Sequence, residues 1–67
     1  MKNFNFNLEG LQYKDSQDKI KNQLQRLNGV QDICLDVDHK SVNVTFDWPA
    51  TEIEIKQCVE NNGFKIL

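Results

Sequence analysis

Sulfur and imidazole are scarce in this 67-residue chain, and the scarcity excludes much chemistry. Its two cysteines, Cys34 and Cys58, stand alone and far apart. They form no recognisable metal or redox motif and suit a reduced compartment. The single histidine, His39, has no Ser or Cys nucleophile beside it in a workable constellation, so no enzyme is expected. No apolar run approaches the roughly 20 residues that a membrane span needs. Met1-Lys2 leads into alternating Phe and Asn, not into the apolar core of a secretory signal. A cytoplasmic protein without membrane insertion is therefore expected. Neither sign of charge dominates: eight Lys and Arg stand against ten Asp and Glu, a net charge of −2. Attraction to phosphate backbones or anionic lipid is thus absent. With no linker or low-complexity tract, residues 1–67 are expected to form one domain. A domain of this size buries only about 60% of the surface its unfolded chain exposes.

What is present is a regular alternation of patterns. Phe4, Phe6 and Leu8 alternate with Asn3, Asn5 and Asn7, the period of a strand with one wet face. After Gly10 the period lengthens, and Ile20, Leu24 and Leu27 predict a helix capped by Asp15 or Ser16 and ended by Asn28-Gly29. Ile33, Leu35 and Val37, then Val42, Val44 and Phe46, predict a hairpin turning around Asp38-His39-Lys40. Pro49 and a capping box from Thr51 to Glu54 open a second helix with the buried stripe Ile55, Cys58 and Val59, and Asn62-Gly63 ends it. Phe64 and Ile66 share a face of a short last strand. The order βαββαβ, with each strand apolar on one face, predicts an α+β ferredoxin-like sandwich: a four-stranded antiparallel sheet with both helices on one side.

In that order, Leu8-Glu9-Gly10-Leu11-Gln12-Tyr13-Lys14-Asp15-Ser16 resembles the V-E-G-M-T-C-x-x-C loop of the heavy-metal-associated domains, found in copper chaperones and at the N-termini of metal-transporting P-type ATPases. Ile20, Leu24, Leu27, Gly29 and Val30 match that family's first helix, and the resemblance continues through Asp36, Asp47, Cys58-Val59 and Gly63-Phe64. It implies metal-transport ancestry and a protein partner such as a metal-transporting ATPase or a like domain. Both family cysteines bind metal; here Tyr13 and Ser16 hold their positions, and Leu11 replaces the methionine beneath the loop. Gln17 and Gln23 also stand where the family has small or apolar residues. No metal ligand is therefore expected at the usual loop, and no cofactor.

Several residues compete for other roles. Cys34 falls out of phase with Ile33 and Leu35, on the open face of the sheet, where the alternatives are an incidental exposed thiol or a site bridging Cu(I) or Zn(II) between two copies. Cys58 is expected as a small buried hydrophobe on the opposite side, out of disulfide reach. His39 with nearby carboxylates offers a weak surface ion contact or a solvated turn. Tyr13 is expected to cover the core edge; an anion at this helix start would meet Asp15 and Asp18. Trp48 and Ile53 are apolar outliers. They serve either as a partner surface or as a pair in which Trp48 covers Ile53. The open face of the third strand, Ser41, Asn43 and Thr45, has no aromatic platform for RNA bases. The chain thus reads as a small binding or regulatory module, monomeric or weakly dimeric, with metallochaperone-like binding through Cys34 or His39 as the alternative.

Overall fold

A computed structural model describes residues 1–67. The elements are β1 (Lys2–Asn7), α1 (Lys14–Gln25), β2 (Val30–Asp36), β3 (Ser41–Phe46) and α2 (Glu52–Asn61). The sheet is antiparallel, in the order β1-β3-β2. Its register places Phe4 opposite Val44, Phe6 opposite Val42 and Ile33 opposite Val44, so the apolar residues of all three strands share one face. That face meets Ile20 and Leu24 of α1 and Ile55 and Val59 of α2 in a single core that also takes in Leu8, Leu11, Phe46 and Ala50. The other face is wet: Asn5, Asn43 and Cys34 form one cross-strand row on it, all exposed.

The sheet has three strands, not four. The C-terminal segment makes one isolated bridge, Leu8 to Ile66. The Glu9 N–H donates to the Lys65 carbonyl (3.0 Å) and the Leu67 N–H donates to the Asn7 carbonyl (2.9 Å). Two bonds reach only the last residue of β1 and the start of the following loop, too short a ladder to make a strand. Phe64 and Ile66 nevertheless pack on the core together.

Local chemistry explains most boundaries and corrects three. Thr51 caps α2, its Oγ1 accepting the Glu54 N–H at 3.1 Å. The helix ends with the Gly63 N–H on the Glu60 carbonyl and the Phe64 N–H on the Val59 carbonyl, a Schellman pattern that Gly63 permits at φ 88°. In α1 the N-cap is Tyr13, not Asp15 or Ser16, and no side chain caps it. The helix starts two residues before the point an Asp15 cap would set, so Asp15 lies in the first turn, where its charge suits the positive end of the helix. Its other end comes at Gln25, before Asn28-Gly29. Val37 leaves β2 for the turn, its carbonyl accepting the Lys40 N–H at 3.2 Å while Lys40 adopts φ 54°.

Candidate functional site

The loop from Leu8 to Tyr13 is bound to the sheet and helix by backbone and side-chain hydrogen bonds. The Leu8 N–H donates to the Lys40 carbonyl (2.8 Å), Glu9 to Lys65, and Tyr13 to the Gly10 carbonyl (3.3 Å). Leu11 is fully buried and plugs the space beneath. Gln17, one turn into α1, reaches back: its Nε2 donates to the Leu11 carbonyl at 3.0 Å. This bond is half-buried and closes the loop with a protein donor. Sequence reasoning missed this function, although a glutamine in place of a small residue was the visible signal. Gln17→Ala is expected to destabilise the fold by about 1 kcal/mol, since it strips a partner from a half-buried carbonyl. Faster hydrogen exchange around the loop would report it.

Tyr13 does not cover the core edge. It is 63% exposed, and Ser16 is half-buried one turn along the helix. The loop therefore presents a phenol and a hydroxyl, with no thiol. These are hard oxygens, and they do not fit a Cu(I) or thiophilic Zn(II) ion. The two cysteines lie elsewhere, both reduced. Cys34 is exposed on the open sheet face, on the edge strand β2 opposite Asn43. Cys58 is half-buried on α2, not fully buried, and its thiol donates to the Gln23 carbonyl of α1 at 3.7 Å. Burial pushes its thiol above the ordinary value of 9.0, so it is a poor nucleophile or ligand at neutral pH.

At the hairpin, His39 Nδ1 lies 2.8 Å from Asp36 Oδ2, and the His39 N–H donates to Asp36 Oδ1 at 3.3 Å. Hydrogen bonding to the His39 side chain, aided by its backbone N–H and charge, holds the Asp36 carboxyl below the ordinary 3.8. No third ligand joins them. A depressed carboxyl stabilises the fold above its unfolded value, and the gain is lost as pH falls through the folded value. The Asp36 titration followed by carboxyl NMR should therefore lie below 3.8, and His39→Ala should return it towards 3.8.

Trp48 and Ile53 do not cover each other: Trp48 is 87% exposed and Ile53 67%. The loop that carries Trp48 is fixed at its base. The Asp47 N–H donates to the Gly29 carbonyl (2.9 Å), the Ala50 N–H to the Asp47 carbonyl (3.0 Å), and the Trp48 N–H to Asp47 Oδ1 (2.8 Å). Beside it, Lys2, Phe46, Ala50, Thr51, Glu52 and Ile53 line an open groove of about 370 Å³. The two outliers are thus displayed on a rigid support.

The profile of the heavy-metal-associated domain matches residues 6–65. The chain belongs to the heavy-metal-associated domain family. Solved structures agree over essentially the whole chain. Apo-CopP from Helicobacter pylori is 30% identical, with 98% of this chain and 100% of that one covered and a TM-score of 0.90. The yeast copper transporter domain Ccc2a is 26% identical, with 100% and 96% covered and a TM-score of 0.89. A copper-binding domain of the P-type ATPase HMA7 shares the fold at 24% identity, with 100% and 95% covered and a TM-score of 0.86. No match is found among curated proteins. This heavy-metal-associated domain has the ferredoxin-like arrangement of two helices on an antiparallel sheet, and no helix long and apolar enough to cross a membrane.

Proposed function

We propose that this domain, of metal-transport ancestry, works as a protein-interaction or regulatory module in the cytoplasm, without metal at its usual loop and without catalysis. The observation that carries the reading is the loop itself: oxygen side chains at both ligand positions, over a loop that Gln17 closes by hydrogen bonding. The partner surface is assigned to Trp48 and Ile53, large apolar side chains held out on a fixed loop and the first turn of α2. Exposed Trp is the side chain that most often anchors a protein contact. The favoured partner class is a domain of the same fold, such as one from a metal-transporting ATPase.

The test is an NMR titration of the metal-free protein with such an ATPase domain. Shifts centred on Trp48 and Ile53, lost in Trp48→Ala while the fold is retained, are the expected result. Shifts centred on Tyr13 and Ser16 that need added metal would contradict the proposal.

A second reading keeps metal handling with other ligands, Cys34 from two copies or His39 with Asp36. Its support is the exposure of the Cys34 thiol and the 2.8 Å approach of His39 to Asp36. Metal-dependent dimerisation abolished by Cys34→Ser would favour the first of these, and Zn(II) binding lost in His39→Ala the second.

A further inference from the structure

We propose that Asn28 is a site of spontaneous covalent modification: its carboxamide closes on the Gly29 nitrogen to a succinimide, which opens to an aspartate or an isoaspartate, and the isoaspartate disturbs the loop that carries Trp48. The site is the turn between α1 and β2, and it depends neither on the metal loop nor on what binds at Trp48.

The reaction needs an asparagine with a free side chain, followed by a residue whose nitrogen is neither shielded nor held in a hydrogen bond. Glycine leaves the nitrogen unshielded because it has no Cβ. Only Asn28 and Asn62 precede a glycine. The fold treats the two pairs differently. Asn62 is half-buried, and its Nδ2 donates to the Cys58 carbonyl at 2.7 Å. The Gly63 N–H is engaged at the helix end by the Glu60 carbonyl, at 3.1 Å. Neither group can turn to the other without opening the last turn of α2. Asn28, in contrast, is exposed with no protein partner for its carboxamide, and the Gly29 N–H has no acceptor in the protein.

The backbone at Asn28 also permits the approach. The Val30 N–H donates to the Leu27 carbonyl at 3.2 Å, closing a turn with Asn28 and Gly29 at its centre. Gly29 has the positive φ, 105°, that a type II turn requires at this place. The peptide between the two central residues can rotate about the line joining their Cα atoms, which changes only ψ of Asn28 and φ of Gly29. Glycine accepts either sign of φ. The rotation brings the Gly29 nitrogen round to Asn28 Cγ while the Leu27–Val30 bond and the contacts of Gly29 with Asp47 stay in place.

Water is the only co-reactant. The Gly29 N–H gives its proton to solvent base, its nitrogen bonds to Asn28 Cγ, and the Cγ–Nδ2 bond breaks with release of ammonia. Water then opens the ring at either carbonyl. Opening at Cγ restores the main chain with aspartate at position 28. Opening at the main-chain carbonyl leaves isoaspartate, whose chain runs through Cβ and Cγ and is one atom longer. Both products add one negative charge.

The longer main chain acts on a tight contact. A Cβ on Gly29 would lie 2.4 Å from the Asp47 carbonyl oxygen and 2.8 Å from the Ala50 nitrogen, and the Gly29 carbonyl accepts the Asp47 N–H at 2.9 Å. Isoaspartate one residue earlier displaces Gly29 within this contact, and the Asp47 side chain holds the Trp48 N–H. Aspartate leaves the main chain, and so the contact, unaltered.

Peptide mapping by mass spectrometry, after incubation of the folded protein in warm, mildly alkaline buffer, tests the proposal. Trypsin places the two Asn-Gly pairs on separate peptides, Leu27–Lys40 and Gln57–Lys65. The first should gain the mass of an amide-to-acid exchange and split into aspartate and isoaspartate forms. It should do so at least about tenfold faster than the second, where two hydrogen bonds must open first. In urea the two rates should converge, and Asn28→Gln, whose longer side chain closes the ring far more slowly, should leave position 28 intact. In the purified isoaspartate form the Asp47 and Trp48 amide resonances should shift, and in Asn28→Asp they should not. Equal rates in the folded protein, or an Asn28 that survives while the denatured chain converts, would overturn the site. An isoaspartate form with Asp47 and Trp48 unshifted would overturn its link to the loop.

Discussion

Cu(I) is expected to bind the double variant Tyr13→Cys, Ser16→Cys at one equivalent, at least about a thousandfold more tightly than the unsubstituted protein, a difference of ~4 kcal/mol. The scaffold around the loop supports this. Leu11 is fully buried, the turn is fixed to Lys40 and Lys65, and the helix begins at Lys14, between the two positions. The missing component is the donor chemistry. Two thiolates one helical turn apart supply soft, polarisable sulfur where a phenol and a hydroxyl now stand, and the helix N-terminus favours the thiolate form. Tyr13 is exposed and Ser16 half-buried, so the exchange costs little packing. Titration against a chromophoric Cu(I) competitor measures the gain. An unchanged affinity would show that the loop has lost more than its ligands.

Gly29→Ala is expected to destabilise the domain by about 3 kcal/mol or more, through strain added to collision. Gly29 sits at φ 105°, and a Cβ there would lie 2.4 Å from the Asp47 carbonyl oxygen and 2.8 Å from the Ala50 nitrogen. Both are backbone atoms, so no side chain can swing aside. A chain of this length has a total stability of roughly 3–10 kcal/mol. The substitution therefore removes a large share of it and lowers the melting temperature by at least about 12 °C. Gly10→Ala provides the contrast: φ is also positive, at 83°, but nothing lies within 4 Å of the new atom, so strain alone remains. Its cost should be about 1–2 kcal/mol. Thermal denaturation of both variants measures the difference. Because the Gly29 carbonyl also accepts the Asp47 N–H, the substitution should disturb the loop that displays Trp48 as well.

Periodicity made the sheet and helices legible, because one buried face imposes a period of two on strands and 3.6 on helices. Phe4 and Phe6, Val42 and Val44, and Ile55 and Val59 all lie on the expected faces. Resemblance placed the loop, and Leu11 fills it as anticipated. Three-dimensional facts without a local signature escaped. The cap of α1 fell to Tyr13 because the helix start is set by the Gly10 turn, with Tyr13 bonded to its carbonyl, and not by the nearest capping side chain. Trp48 was free to cover Ile53 or to stand away from it, and its backbone bond to Asp47 belongs to an arrangement that leaves both exposed. Phe64 and Ile66 had the alternation of a strand, but pairing depends on the neighbour within reach, and only one bridge forms. The Gln17 bond joins residues six apart in sequence across a turn, beyond what spacing reveals.

The central claim, that the usual loop takes no metal, is tested most directly by titrating the fully reduced protein with Cu(I) against a chromophoric competitor. Zn(II) is titrated in parallel, and both titrations are repeated on Cys34→Ser. The account predicts no competition for either ion by either protein. Stoichiometric binding that survives Cys34→Ser would contradict it at the loop, and binding that disappears with Cys34 would move the metal to the open face of the sheet.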